Sequence, residues 1–433
     1  MQDEYIKHNK MENYNVKDIN LADQGLMNLE VAERNMQALV KMREDLKERK
    51  PFEGLKIGMA LHVTKETGVL VRTLQAGGAE VAIASCNPLS TQDDIAAALA
   101  KEGVSVHGYK GENNEDYYKY LENVINIKPH ITIDDGCDLV TLIHTKYPEL
   151  MENIIGGCEE TTTGVIRLRA MEKDNALKYP IVAVNDNMTK HLMDNYYGTG
   201  QSTLDGIIRS SNILFSGKTV VVAGYGDCGK GVSMRARGMG ANVIVTEVAS
   251  FPALQAKMDG FRVMPMNEAA KEGDIFITVT GDRDVITPEH VKLMKSGAIL
   301  ANSGHFDVEI DVKGIEELSK SKRRVRHYFD EYVIENNLNG SEKVIYIAGE
   351  GRLVNLASAE GHPSEVMSLS FMGQVSACLY LVENKGQLEN KVYQLPDEYD
   401  DKIAQAQLEV MNVTIDELTP TQIEYLASWK EGT

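Results

Sequence analysis

Several polar residues of this chain stand where apolar runs stop, and their types suit acid–base work: His62, Asp135, Glu160, Lys190, Asp194 and His305. A histidine titrates near neutrality, and burial or a charged neighbour can move a carboxylate or lysine toward it. Thr64 and Glu66 follow His62, Asn185 precedes Lys190, and the run Glu159-Glu-Thr-Thr-Thr-Gly164 lies between Asp135 and Lys190. Each has an ordinary alternative. An aspartate after a strand commonly caps a helix, and a lone histidine is commonly a satisfied core group. Consecutive threonines commonly line a strand edge, and Lys190 with Asp194 has the i, i+4 spacing of a plain helix ion pair. Composition and periodicity leave these alternatives open.

A second feature is more specific. Gly224-Tyr-Gly226-Asp227-Cys228-Gly229 matches GxGxxG, preceded by the β-branched run 219–222 and followed by a helical pattern. In that setting Gly224 permits a tight turn, Gly226 lets backbone approach a pyrophosphate, and Gly229 lets helix and strand pack closely. Asp227 and Cys228 open a helix whose N-terminus faces the phosphates. Glu247 closes the next strand, where a carboxylate can accept both hydroxyls of the adenosine ribose. It would repel a 2′-phosphate, so NAD is expected over NADP.

The elements that must position these groups alternate between strand and helix. Strands are expected at 56–61, 79–85, 131–133 and 181–184, with a helix from Thr64 to the stop at Gly77-Gly78. A second block begins near Gly217, with strands at 219–223, 241–247, 274–280, 298–303 and 344–348 and helices at 227–239 and 288–295. Ahead of both, Leu29, Ala32, Met36, Leu39, Met42 and Leu46 recur at steps of three and four, as in one amphipathic helix closed by Pro51. Residues 363–383 read as a long apolar helix and 384–433 as a polar, partly helical tail. This pattern predicts an α/β architecture. Open sheets of that kind bind ligands at the carboxyl ends of their strands, where the residues named above fall.

The 433 residues allow two or three domains, and the 43% apolar and 25% charged composition is that of an ordinary globular chain. A formal net charge of -19 argues against nucleic acid and anionic membrane as partners. The basic run 320–326 reads as a solvated surface turn. No membrane span is expected, and the polar Met1–Lys10 carries no signal-peptide core. Cys86, Cys137, Cys158, Cys228 and Cys378 form no CxxC pair, so neither a disulfide framework nor a thiolate metal site is expected. Reduced thiols in a cytoplasmic protein fit.

Over nearly its full length the chain resembles the S-adenosylhomocysteine hydrolase (adenosylhomocysteinase) family. The resemblance rests on Ser90-Thr-Gln-Asp93, Asp134-Asp-Gly136, Glu159-Glu-Thr-Thr-Thr-Gly164, Val222-Ala-Gly-Tyr-Gly-Asp227, Gly304-His-Phe-Asp-Val-Glu-Ile310 and Gly361-His-Pro-Ser364. It implies a Rossmann-type NAD domain (195–352) inserted in a second α/β domain that binds substrate (1–194 and 353–390). A short C-terminal tail (391–433) would serve oligomerisation and cofactor binding, in a homotetramer. It also implies the chemistry. NAD oxidises the ribose 3′-hydroxyl to a ketone, the C4′ proton becomes acidic, homocysteine is eliminated, water adds, and the ketone is reduced back. On this resemblance Lys190 is the base toward the 3′-hydroxyl, its pKa lowered by burial, with Asp194 and Glu160 orienting it and the ribose. Asp135 handles the C4′ proton, His62 the proton at C5′, and His305 and Asn185 position the sugar. Thr161, Thr162, Thr163, Asn195, Glu247, Asn302 and Asn355 are implied NAD contacts, beside the glycine loop itself. Thr64, Glu66 and His362 are implied contacts to base and ribose.

The chain departs from the family in three places. It ends at Ser428-Trp-Lys-Glu-Gly-Thr433 without the usual Lys-Pro-Asp-His-Tyr-Arg-Tyr run, as in a shorter-tailed archaeal and bacterial branch. Ala249-Ser250-Phe251 follows Glu247 in place of Asp-Pro-Ile. Around the purine it reads Thr64-Lys65-Glu66 and Ala359-Glu360-Gly361. Glu66 can accept from an adenine amine or from hypoxanthine N1–H, and Lys65 can donate to an oxo group or simply carry surface charge. S-inosylhomocysteine, the substrate of a methanogen branch, therefore stands beside the adenosyl thioether. Two more distant readings are a hydroxyacid-type NAD dehydrogenase, which would release NADH, and a non-catalytic NAD-binding regulator. Retention of all six acid–base residues argues against the regulator.

Overall fold

The computed structural model describes residues 13–335 and 342–430; Met1–Lys10 lies outside the described residues. Two sheets carry the chain, the first wholly parallel and the second parallel except at one edge. The first contains β1 (Lys56–Ala60), β2 (Glu80–Ala84), β3 (Ser105–His107), β4 (Ile131–Asp134), β5 (Gly156–Glu159) and β6 (Ile181–Ala183). The second contains β7 (Thr219–Ala223), β8 (Asn242–Thr246), β9 (Arg262–Val263), β10 (Ile275–Thr278), β11 (Ala298–Asn302), β12 (Ser319–Arg326), β13 (Phe329–Glu335) and β14 (Glu342–Leu353). Spatial order is β3-β2-β1-β4-β5-β6 in the first and β9-β8-β7-β10-β11-β14 in the second. Both are doubly wound, with a switch point between β1 and β4 and another between β7 and β10, and a switch point is where such sheets bind ligands. All pairings are parallel except β12–β13 and β13–β14.

Each sheet is apolar on both faces, as its burial requires. On one face of the first sheet Ile57, Met59 and Ile83 pack with Leu39, Val71, Leu99 and Val375 of the covering helices; on the other, Ala60 and Ala82 pack with Leu121 and Leu139. Val220, Val222 and Ile277 of the second sheet join Ile207 and Val232, while Val221, Phe276 and Leu300 join Val291 and Ile315.

Several elements differ from the sequence reading. The stripe from Leu29 to Leu46 belongs to two helices, Ala22–Asn35 and Gln37–Arg49, broken at Met36 (φ -115°, ψ 42°). The bend does not interrupt the periodicity, because Leu29, Met36, Leu39 and Leu46 all reach the same core. The basic run is no turn: it is the exposed outer strand β12, whose Arg323 and Arg324 pair with Glu331 and Asp330 of β13. Charge on an edge strand discourages further pairing. The helix Ser364–Glu383 is, against expectation, long and apolar enough to cross a membrane, but 67% of its apolar window is buried inside the protein. Beyond it, Val392–Tyr393 in the expected tail forms β15, which extends the first sheet beside β6.

Candidate active site

The carboxyl ends of both sheets open on one cavity. In the first sheet Ala60, Asp134 and Glu159 are in register, so the residues that follow them, His62, Asp135 and Glu160, arrive side by side. From the second sheet the loop after β11 brings His305 across. His62, Thr64, Glu66, Asp135, Glu160, Thr161, Lys190, Asp194, Asn195, Cys228, His305, Asn355 and His362 line this cavity, so most predicted site residues meet there.

Two groups of charges share it. In one, Asp135 Oδ2 lies 3.3 Å from His62 Nε2 and Asp135 Oδ1 lies 3.4 Å from His305 Nδ1. His62 Nδ1 is fixed by Ser90 Oγ at 2.8 Å. Burial lowers the His62 pKa to about 4, Asp135 countering only in part, so this imidazole is neutral at ordinary pH. His305 reaches Asp135 over Gly136, where a Cβ would stand 2.3 Å from His305 Nε2.

The other group centres on Lys190, which is 3% exposed. Its ammonium donates to Asp194 Oδ2 and to Asn195 Oδ1, each at 2.8 Å, and to Asn185 Oδ1 at 3.2 Å, with Glu160 Oε1 at 4.0 Å. Residues 191–198 form a π-helical turn, which brings i+4 and i+5 positions to the same face. That is why Lys190 holds both Asp194 and Asn195, where the sequence suggested an ordinary helix pair. The expected lowering of the Lys190 pKa is corrected. Burial does pull it down, but Asp194 and Glu160 outweigh burial and the pKa is raised, so Lys190 is a held ammonium. Burial pushes Asp194 up, yet His362 and Lys190 bring it below the usual carboxylate range, and His362 Nδ1 hydrogen-bonds Asp194 Oδ1. Glu160 goes the other way. Burial lifts it to about 7 against the pull of Lys190, while Ser370 Oγ and Gln374 Nε2 donate to its carboxylate.

The glycine loop behaves as its spacing suggested. Gly224 has φ +105°, and a Cβ on Gly229 would stand 2.0 Å from Gly224 O. A Cβ on Gly226 would meet nothing within 4 Å, which leaves backbone open to a bulky anion at the uncapped N-terminus of the helix Asp227–Gly238. Glu247 accepts from the amides of Tyr225, Val248 and Ala249, so it shapes the loop it was expected to serve. Asn355 Oδ1 is buried with no partner among the described residues, and it could accept from a ligand donor. These features fit a dinucleotide. Asp227 is paired with His191 and Lys230. Asn302 does not line the cavity; its amide is spent on Thr278, Gly304 and Phe306, so it builds the His305 loop. Thr162, which donates to Asn185 Oδ1, and Thr163 begin the helix Thr162–Lys173 rather than a strand edge.

Sequence reasoning missed Cys86. Its Sγ lies 3.2 Å from His62 Nδ1 and 3.8 Å from Asp135 Oδ2, and burial pushes its thiol well up. Its place just beyond β2 was the available signal. It also missed Gln374 and Ser370, which sit inside an apolar helix where only a buried partner explains them.

Comparison with known proteins places residues 195–361 in "S-adenosyl-L-homocysteine hydrolase, NAD binding domain" and residues 13–147 in "S-adenosyl-L-homocysteine hydrolase". The chain is 57% identical to S-inosyl-L-homocysteine hydrolase of Methanocaldococcus jannaschii, over 97% of this chain and 100% of the relative. It is 55% identical to the enzyme of the same name from Methanococcus maripaludis and 55% identical to adenosylhomocysteinase of Saccharolobus solfataricus, each over 97% of this chain and 100% of the relative.

Proposed function

The chain belongs to the S-adenosyl-L-homocysteine hydrolase family, and from that premise we propose that it catalyses the reversible, NAD-dependent hydrolysis of S-adenosyl-L-homocysteine to adenosine and L-homocysteine. One observation carries the reading: a held ammonium with two carboxylates, and a carboxylate with two imidazoles, face one cavity beside a dinucleotide loop. The C5′–S bond resists direct hydrolysis because thiolate would leave an unactivated carbon. A ketone at C3′ makes the C4′ proton acidic, which permits elimination of the thiolate and addition of water. Gly224, Gly226 and Gly229, with Asn195 and Asn355, would hold NAD, which when bound would supply the reversible oxidation at C3′.

The side chains do the rest. Lys190 donates to the 3′-oxygen and stabilises negative charge on it, and Glu160, poised near neutrality, takes the proton. Asp194 and His362 hold Lys190 and the ribose in place. Asp135 removes the C4′ proton, flanked by two imidazoles that can share it. Neutral His62 accepts a proton from the water that adds at C5′. His305 and Asn185 orient the sugar, and Thr64 and Glu66 take the purine. In this reading 1–194 and 353–390 bind substrate, 195–352 hold NAD, and 391–433 serve a homotetramer. Incubating the protein with S-adenosyl-L-homocysteine should yield equal amounts of adenosine and homocysteine; absence of both would refute the reading.

A further inference from the structure

One ion pair beside the cavity takes no part in the chemistry at the sugar. His191 follows Lys190 and opens the π-helical turn 191–198. Its Nε2 lies 2.6 Å from Asp227 Oδ2, and Asp227 begins the helix Asp227–Gly238 that leaves the glycine loop. Lys230 Nζ lies 3.3 Å from the other carboxylate oxygen, Oδ1. Across the ring, His191 Nδ1 lies 3.1 Å from the carbonyl oxygen of Asn185. An acceptor thus stands at each ring nitrogen, and only the imidazolium can donate to both. The amide nitrogen of Asn195, which would suit a neutral ring, is farther from Nδ1 at 3.4 Å. The hydrogen bond to Asp227 raises the His191 pKa against burial and the charge of Lys190, and the same bond lowers that of Asp227. The pair is half-buried, with His191 34% and Asp227 18% exposed. The turn and the helix that it joins are packed without a gap, since a Cβ on Gly231 would overlap Tyr196 O.

The amides at the start of this helix are the natural seat of a pyrophosphate. Asp227 places a carboxylate on the first residue of the same helix. That charge suits the helix dipole but repels a pyrophosphate, which carries two negative charges of its own. Both of its oxygens face cations, one from the next turn of its own helix and one from the turn that follows Lys190. We propose that His191 is a positioning residue for the dinucleotide: its cation neutralises Asp227 so that the glycine loop accepts a pyrophosphate, and it fastens that loop to the turn bearing Lys190. The fastening extends to the ammonium through Asn185, whose backbone oxygen faces His191 and whose Oδ1 accepts from Lys190 Nζ at 3.2 Å. This rests on the reading that the loop binds NAD.

The test measures the affinity of the full chain for NAD by calorimetry in wild type, His191→Gln, His191→Arg, Asp227→Asn and the double variant His191→Gln with Asp227→Asn. Glutamine keeps a donor and loses the charge, so His191→Gln should bind NAD about fivefold or more weakly than wild type. His191→Arg, which keeps the charge, should stay within about twofold of wild type. In the Asp227→Asn background no carboxylate is left to neutralise, so adding His191→Gln should change affinity by less than about twofold. Undiminished affinity in His191→Gln would overturn the proposal. So would a His191→Arg variant as weak as His191→Gln, or equal losses from His191→Gln in the two backgrounds, because either would show that the charge on Asp227 is not what His191 answers. Wild type that fails to bind NAD would instead overturn the underlying reading.

Discussion

At the scale of one residue the chemistry turns on Lys190, a buried ammonium held by Asp194 at 2.8 Å with Glu160 at 4.0 Å. Replacing Lys190 with alanine should cut turnover by about 10²–10⁴-fold and prevent reduction of bound NAD, while nucleoside still binds. It should also cost roughly 3–5 kcal/mol in chemical denaturation, since two buried carboxylates lose their counter-charge. Near-normal reduction of NAD on adding nucleoside would remove Lys190 from the chemistry. Glu160 gives a pH prediction. Its carboxyl titrates at about 7 rather than 4.5, and the ionised form takes the proton, so kcat should rise as pH passes through about 7. Stability should move oppositely. The folded protein binds this proton more tightly than the unfolded chain, so its contribution is complete below about 4.5 and is lost as pH climbs to about 7. Glu160→Gln should abolish that limb of the kcat profile; an unchanged limb would assign it to another group.

Among the elements, those with regular periodicity were legible. Strands β1, β2, β4 and β7 and the helix after the glycine loop lie where the apolar runs and the three-four pattern put them. Strand β5 was not, because Gly156 and Gly157 weaken any strand signal. They are there for packing: a Cβ on Gly156 would stand 2.5 Å from Leu381 of the helix Ser364–Glu383, and one on Gly157 would stand 2.4 Å from Thr132 Oγ1. The π-helical turn after Lys190 was equally hidden, since its register depends on tertiary contacts and no single residue type marks it. Gly229 supplies the test at this scale. Its missing Cβ lets the helix Asp227–Gly238 sit against the turn at Gly224. Gly229→Ala should shift the loop, cost about 1–3 kcal/mol by overpacking, and weaken NAD binding in calorimetry. Wild-type affinity in that variant would show that the loop does not depend on this contact.

Across the whole molecule, two sheets of the same doubly wound order place their carboxyl ends against one cavity, so chemistry assembled from residues 62 to 362 has a single address. That convergence was legible only through the resemblance, because no local pattern reports which strand ends face each other. In the last segment Ile415, Leu418, Ile423, Leu426 and Trp429 are all exposed among the described residues. If it docks on a neighbouring copy, the full chain should have the mass of a tetramer by light scattering, and a chain ending at residue 410 should form a smaller assembly. Equal masses would leave the tail without that role.

In the proposed reaction NAD is used and restored within one turnover. Its most direct measurement follows nicotinamide reduction and homocysteine release together after the holoenzyme is mixed with excess S-adenosyl-L-homocysteine. Homocysteine release should continue while reduced nicotinamide never exceeds the enzyme present. Reduced nicotinamide accumulating with turnover would make this a dehydrogenase, and substrate binding with neither reduction nor homocysteine would make it a regulator; either result would refute the proposed hydrolysis.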